Sequence, residues 1–349
     1  MAFNRICERT LPDGSVRKVY PFHVSLEGME QLVLCRDDED YDVMVKYIYI
    51  CARRKNVIVV IHIVMSNHAH STVLATGQED ADAFKGELKR MYAQYFSHKY
   101  KQRKVLGKTS AVALYLDSDW YLRNALAYIP RNALDTMTRI EDYRWSGYRA
   151  MFCGGKAPKG VRAVRFLTKR EKEAALHTHD SVSGIPWLLN ADGELEPASA
   201  CDHTYLEAAF NQDQSFFLKT IGSVNMAEMK QKLVDDPRRR QNDSELFKTI
   251  DDISSRWFGR GIDALSLDKK ARLLPYVFRS YRTSVAQLAR CFGLNRETVC
   301  GWLGLGVGSS ENRKEAAAQR GRSSEDMGHV VYGSEQVRKS MGDLPHGRA

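Results

Sequence analysis

The order of apolar patterns in the first 150 residues predicts an α+β fold, with helices packed on a sheet. An alternating segment at residues 19–26 is typical of a strand, and the nearly unbroken aliphatic run 57–65 indicates a strand buried on both faces. Apolar residues recur at helical spacing from about residue 37 to 54 and from about 81 to 101. Strands and helices that alternate in this way predict a layered α+β arrangement.

The composition of the 349-residue chain favours a folded protein with an anionic partner. Hydrophobic residues make up 43% of it, and a net charge of +9 favours nucleic acid, the commonest such partner. Seven cysteines, none in Cys-x-x-Cys spacing, argue against a disulfide framework or a cysteine zinc site and for a reducing compartment. No apolar signal segment or membrane-spanning run occurs, so we expect a cytoplasmic protein with no membrane partner.

Changes in composition divide the chain into four parts. We expect an N-terminal domain at residues 18–153, followed at 154–240 by a linker and an irregular, partly helical region. Residues 241–304 carry only helical patterns, so this part is expected to be all-α. Residues 305–349 are rich in Gly, Ser and mixed charge with few large apolar groups, which is typical of a disordered tail.

Residues 284–303, SVAQLARCFGLNRETVCGWL, have the pattern of a helix-turn-helix. Ser284 is placed to cap a first helix, and Gly293 can adopt the left-handed conformation of the turn. Arg296 and Thr298 would face outward from the second helix, where duplex DNA could be bound. A plain helical hairpin is the alternative.

The helical pattern at 81–101 is both basic and aromatic. Lys and Arg neutralise phosphates, and aromatic faces stack on unpaired bases. Lys85, Lys89 and Arg90 are therefore candidate phosphate contacts. The alternative is an ordinary amphipathic helix with tyrosines in the core and lysines in water.

His68 and His70 follow the aliphatic run and are the first candidates for chemistry. Residues two apart on a strand point to the same face, so the two imidazoles would lie side by side while Ala69 points into the core. Such a pair can hold one divalent ion. Solvent-facing or hydrogen-bonded strand histidines are the alternative reading.

Phosphoryl chemistry on a polynucleotide would also need a nucleophile and an oxygen ligand suited to Mg²⁺ or Mn²⁺. A tyrosine can lie beside such a ligand when the two are three or four residues apart on a helix. Tyr128 with Asn132 is the leading pair at this spacing. Tyr115 with Asp119 is the rival, in a segment that is less clearly helical.

The chain from about residue 22 to 154 resembles the single-tyrosine HUH transposases, and most closely the REP-associated tyrosine transposase group. The resemblance is carried by VMSNHAHSTV (64–73), the helix ending KRMYAQYFSHKY, YIPRNAL (128–134) and EDYRWSGYRAMFCGG, in the family's order and spacing. It implies an HUH endonuclease fold, in which an antiparallel ferredoxin-like or RRM-like sheet carries packed helices.

The resemblance also implies a mechanism. The family's paired histidines fall on His68 and His70, its catalytic tyrosine on Tyr128, and its third metal-side residue on Asn132. The implied cofactor is Mg²⁺ or Mn²⁺, and the implied substrate is single-stranded DNA next to a hairpin. Attack by the tyrosine on the scissile phosphate would give a 5′-phosphotyrosine and a free 3′-hydroxyl, and the reverse step would join strands. The expected phosphate contacts are Lys85, Lys89, Arg90 and Arg131.

A second hypothesis is a catalytically silent, sequence-specific DNA-binding regulator that uses the helix-turn-helix on duplex DNA. Two departures from the family's motifs favour it: Ala133 stands where a proline usually follows the asparagine, and Pro130 lies two residues before Asn132. A replication-initiator relative is disfavoured by the single tyrosine in its YIPRNAL context. The sequence leaves the oligomeric state open, with a homodimer as one alternative.

Overall fold

A five-stranded antiparallel sheet is the centre of the N-terminal part of the chain. The computed structural model describes residues 3–27, 33–102, 110–154, 159–180, 182, 184–229, 241–281 and 283–305. The strands are β1 (Cys7–Thr10), β2 (Val16–Glu27), β3 (Ile58–Val64), β4 (His68–Ala75) and β5 (Ser110–Tyr115). Strand β2 pairs with β4 along one edge and with β1 and β5 along the other, and β4 pairs with β3. The α+β class expected from the sequence is confirmed.

Two long helices connect the strands and cover one face of this sheet. Helix α1 (Asp38–Arg54) joins β2 to β3, and α2 (Gln78–Tyr100) joins β4 to β5. The two helices contact each other, which fits two crossovers of the same hand. Asp37 caps α1 by accepting a hydrogen bond from the Asp40 backbone N–H, and acidic residues fill its first turn, where the helix dipole favours them.

A buried carboxylate fixes the end of α2 to the start of α1. The side chain of Asp40 is fully buried and accepts hydrogen bonds from the Tyr95 and Tyr100 hydroxyls at 2.9 and 2.6 Å and from the Lys99 ammonium at 2.8 Å. A buried carboxylate is tolerated only when it is paired and hydrogen-bonded in this way. The tyrosines in the second half of α2 therefore serve packing between the two helices.

A third helix, α3 (Asp119–Arg131), lies on the opposite face of the sheet. Its cap is Ser118, which accepts from the Tyr121 backbone N–H. The α-helix ends one residue after Pro130 and continues as a 3₁₀ turn, Asn132–Thr136. A proline lacks the N–H and crowds the preceding turn, which favours such an end.

The sequence patterns did not predict strands β1 and β5. Both are short, both pair with the same side of β2, and their side chains are only half-buried or exposed at most positions. Such edge strands show little hydrophobic alternation, so periodicity does not reveal them.

Much of the region predicted as linker and irregular structure is packed on the N-terminal core. It contains a short strand pair, β6 (Arg162–Ala163) with β7 (Leu188–Leu189), and helices α4 (Lys169–Leu176), α5 (His203–Ala209) and α6 (Gln214–Met229). Phe210 and Phe217 are fully buried in the same hydrophobic cluster as the sheet, and α5 and α6 pack against α3. Residues 230–240 of this region lie outside the described residues.

Four helices at the C-terminal end share a second hydrophobic cluster. They are α7 (Asp243–Phe258), α8 (Leu267–Ser280), α9 (Val285–Phe292) and α10 (Arg296–Leu303). Ser284 caps α9, and Gly293 ends it in the left-handed conformation with a φ of 63°. All four helices lie within residues 241–304, the part that the sequence predicts to be all-α. The tail expected at 305–349 falls, apart from Leu305, outside the described residues.

No helix in the described part of the chain is both long and apolar enough to cross a membrane.

Candidate functional site

The hydrogen-bond register of the sheet decides which face the histidines occupy. The aliphatic run and the histidines form two antiparallel strands, β3 and β4, and β2 places Ser25 opposite His70 and Glu27 opposite His68. Side chains opposite each other in an antiparallel pair share a face. The His68 and His70 rings are adjacent, with centroids 4.8 Å apart, while Ala69 points to the other face and is buried.

The two faces of the sheet are occupied by different helices. His62 on β3 is opposite Ser71, one position away from His70, so it points away from the histidine pair. Its Nδ1 contacts the hydroxyl of Tyr49, a residue of α1, at 2.8 Å. Helices α1 and α2 therefore lie on the His62 face, and α3 covers the face that carries His70.

Helix α3 brings Tyr128 and Asn132 to the histidine pair. The Tyr128 ring lies edge-on to the His70 ring, with centroids 5.4 Å apart, and the Asn132 Oδ1 is 3.4 Å from the His68 Nε2. The Asn132 amide nitrogen donates to the backbone carbonyls of Tyr128 and Ile129 at 2.8 and 3.2 Å. These bonds orient the amide so that its oxygen faces His68.

A third histidine, His23, belongs to this cluster and was missed in the sequence. It lies on β2 opposite Thr72, and its Nε2 is 3.2 Å from the His70 Nδ1. Its ring is also edge-on to the Tyr128 ring at 6.5 Å between centroids. The alternation of strand 19–26 indicates that His23 faces away from Phe22 and Val24, but only the pairing of β2 with β4 shows what it meets.

Burial keeps these imidazoles unprotonated at neutral pH. It lowers the pKa of His23 to about 4, and it lowers the pKa values of His68 and His70 as well. For His70 the neighbouring His68 and His23 lower the pKa further. An unprotonated imidazole offers the lone pair that a metal ligand needs.

Two imidazoles and an amide oxygen are of the chemical types that can bind a divalent cation with mixed nitrogen and oxygen ligands. Ligand atoms that share one ion at about 2.1 Å lie about 3 Å apart, and the His68 Nε2 and Asn132 Oδ1 are at 3.4 Å. Among the described residues no group of three His, Cys, Asp or Glu side chains is arranged to hold a metal. A cation here would therefore need the amide oxygen of Asn132 as well as the two imidazoles, with water completing its shell.

The rival pair, Tyr115 with Asp119, does not form a site. Tyr115 is the last residue of β5 and Asp119 the first residue of α3, so the helical spacing considered for them is wrong. The Tyr115 ring packs on Tyr20 and Phe22, on the face of the sheet opposite His70. Arg5 donates to its hydroxyl at 2.7 Å.

The candidate phosphate contacts do not converge on the histidines. Lys85, Lys89 and Arg90 belong to α2, on the other face of the sheet, and Lys85 and Arg90 pair with Asp82 and Glu87 of the same helix. Arg131 is near the site, but its side chain is buried and donates to Asp135 at 2.7 Å. Phosphate contact by any of these residues stays a prediction, and for Arg131 it requires the ion pair to open.

The C-terminal helices carry a buried ion pair whose two charges act on His68. The carboxylate of Asp243, at the start of α7, is buried and pairs with both nitrogen positions of the Arg290 fork on α9. Besides burial, these two charges act on the His68 pKa, which Asp243 raises and Arg290 lowers. On α10, Arg296 is exposed and Thr298 half-buried.

Comparisons of the chain with models of protein families, with curated proteins and with solved structures found no match in any of the three. None of the three identifies a family for this chain, so the resemblance to the single-tyrosine HUH transposases stays a prediction from its sequence motifs.

Proposed function

We propose that this chain is a metal-dependent endonuclease and strand transferase of the HUH single-tyrosine type, acting on single-stranded DNA beside hairpins. The observation that carries the proposal is the meeting of Tyr128, His68, His70 and Asn132 on one face of the sheet, although they come from elements about sixty residues apart in the chain.

The connectivity of the sheet supports the same assignment. From β2 to β5 the elements follow the order β-α-β-β-α-β, and the strands lie side by side as β5-β2-β4-β3. This is the order of the split βαβ or ferredoxin-like arrangement that the family resemblance implies. A fold hosts many functions, so the connectivity supports the family and the site residues support the chemistry.

His68, His70 and Asn132 would hold Mg²⁺ or Mn²⁺, which when bound supplies Lewis-acid polarisation of the scissile phosphate. The Tyr128 hydroxyl loses its proton to solvent as its oxygen attacks phosphorus; the bond from phosphorus to the 3′-oxygen breaks, and that oxygen takes up a proton from solvent and leaves as a 3′-hydroxyl. The 5′ phosphate stays on Tyr128 until another 3′-hydroxyl attacks it and restores the phenol. The packed helix α3 holds the nucleophile in place, and such positioning accounts for much of the rate in phosphoryl transfer.

A covalent-adduct assay tests the proposal. The full chain is incubated with Mn²⁺ and a pool of 3′-labelled hairpin oligonucleotides that carry randomised single-stranded flanks, and the products are separated on a denaturing protein gel. We expect a labelled protein band that is lost in Tyr128→Phe and His68→Ala. Tyr115→Phe is the matched control and should keep the band. A band that survives Tyr128→Phe, or its absence from the wild-type chain, contradicts the proposal.

A second candidate is the DNA-binding regulator with a silent nuclease site. The observation that favours it is the short pair of helices α9 and α10, joined at a left-handed Gly293 and presenting Arg296 to solvent. This function predicts duplex binding that Arg296→Ala weakens and Tyr128→Phe leaves unchanged. Finding such binding without any adduct would favour the regulator over the enzyme.

A further inference from the structure

His23 is the one histidine of the cluster to which the proposed mechanism gives no role. Its Nε2 lies 3.2 Å from the His70 Nδ1, and its own Nδ1 is buried and has no hydrogen-bond partner among the residues that the structure describes. The contact with His70 is therefore the one hydrogen bond that the described residues offer to its ring. Most buried polar atoms in proteins are hydrogen-bonded, so a ring with one unpartnered nitrogen and a single contact calls for an explanation.

The contact has two possible directions, and they differ in what His70 can bind. A neutral imidazole carries one N–H and one lone pair. When His23 donates, the His70 Nδ1 accepts and the His70 Nε2 carries the hydrogen, so Nε2 has no lone pair for a cation. When His70 donates from Nδ1, its Nε2 lone pair is available on the other side of the ring. Only the second direction is compatible with a metal bound through the His70 Nε2.

We propose that His23 is a positioning residue that accepts the Nδ1–H of His70 and thereby presents the His70 Nε2 to a divalent cation. The inference rests on the proposed function, because it needs His70 to be a ligand. In other metal sites the ligating histidine donates its second N–H to a carboxylate, a carbonyl or water. Here the acceptor is the Nε2 of a histidine on the neighbouring strand, held by the same register that aligns β2 with β4.

Two substitutions of His23 separate acceptance of this hydrogen bond from simple packing. His23→Leu fills the space without an acceptor, whereas in His23→Gln the side-chain oxygen replaces the imidazole Nε2. The matched control is His62→Gln, because His62 is a buried histidine on the next strand along the chain but faces α1. Mn²⁺ binding to each full-length variant is measured without DNA from the loss of the free Mn²⁺ signal in electron paramagnetic resonance.

Loss of an orienting partner typically weakens metal binding by about 10–100-fold. We expect that loss in His23→Leu, most of the affinity to return in His23→Gln, and no change in His62→Gln. Wild-type affinity in His23→Leu overturns the inference, as does the absence of Mn²⁺ binding to the wild-type chain. An affinity in His23→Gln as low as in His70→Ala also overturns it, since His23 would then be a ligand itself.

The adduct assay on the same wild-type protein separates the two failures. If the adduct forms and His23→Leu binds Mn²⁺ normally, the inference about His23 fails alone. If no adduct forms while the His23 variants behave as expected, the proposed cleavage fails and the metal site stands.

Discussion

Acidification should destabilise the protein through His62, and the size of the effect follows from its burial. The side chain of His62 is 1% exposed, and its Nδ1 lies 2.8 Å from the Tyr49 hydroxyl, which in turn contacts the Cys201 sulfur. Burial lowers the His62 pKa from 6.5 to about 3. The folded state therefore binds no proton at this residue over a pH range in which the unfolded state does.

The sign and the magnitude follow from linkage. Because the folded pKa is the lower one, the stability contributed by neutral His62 is complete above pH 6.5 and is lost as the pH falls from 6.5 towards 3. Each pH unit in this window costs about 1.4 kcal/mol. At pH 5 the loss is about 2 kcal/mol, and this value depends on the unfolded pKa alone as long as the folded pKa stays well below 5.

The measurement is the free energy of unfolding in urea at pH 7 and pH 5. Burial also lowers the pKa values of His23 and His70, so their protonation adds to the loss of stability in acid. The contribution of His62 is therefore taken as the difference between the wild-type chain and His62→Gln. The decrease between the two pH values should be about 2 kcal/mol smaller in His62→Gln. His179→Gln is the control, because its side chain is 93% exposed and should leave the decrease unchanged.

An equal decrease in wild type and His62→Gln would refute the reasoning. It would mean that His62 can be protonated in the folded chain and does not face α1. Since a one-residue shift of a strand turns every side chain to the other face, the assignment of His70 to the α3 face would then be in question too.

Three further substitutions test the packing and the site. Asp40→Ala removes the acceptor of two tyrosine hydroxyls and of Lys99, so the free energy of unfolding in urea should fall by about 3 kcal/mol. Asn132→Ala removes the proposed oxygen ligand, so Mn²⁺ affinity and adduct yield should both fall, while chelation of divalent ions by EDTA should abolish the adduct and Mn²⁺ restore it. Arg290→Ala leaves the buried Asp243 carboxylate unpaired, which should cost about 3 kcal/mol and speed hydrogen exchange in α7 and α9.

Each of these has a matched control in the same element or its neighbour. Asp82→Ala removes a half-exposed carboxylate from α2, Asn124→Ala removes an amide from α3 away from His68, and Arg279→Ala removes an exposed guanidinium from α8. The corresponding interpretation is wrong if the site variant and its control behave alike.

Several features of the candidate site were available from local spacing. The two-residue period of a strand put His68 and His70 on one face, and the four-residue spacing on a helix joined Tyr128 to Asn132. The ends of α1 and α9 were also readable, because capping side chains and glycine act within a few residues.

Other features depend on contacts between distant segments. His23 meets His70 across 47 residues, through a register that backbone hydrogen bonds set and that no local pattern encodes. The position of α2 also depends on distant contacts. Its Lys and Arg side chains were candidate phosphate contacts, but the helix lies on the face opposite the histidines. Strand β5 was not predicted, because an edge strand with half-exposed side chains has almost no alternation of apolar and polar residues.

The sequence by itself determined which residues share a face within one strand or one helix, because those relations follow from the fixed geometry of each element. The tertiary structure alone decided which faces meet: it placed α3 over the histidines, turned Tyr115 to the opposite side and added His23 to the cluster. The physical reason is that the pairing of strands and the stacking of helices on a sheet are set by the total burial and hydrogen bonding of the whole fold, in which every segment takes part.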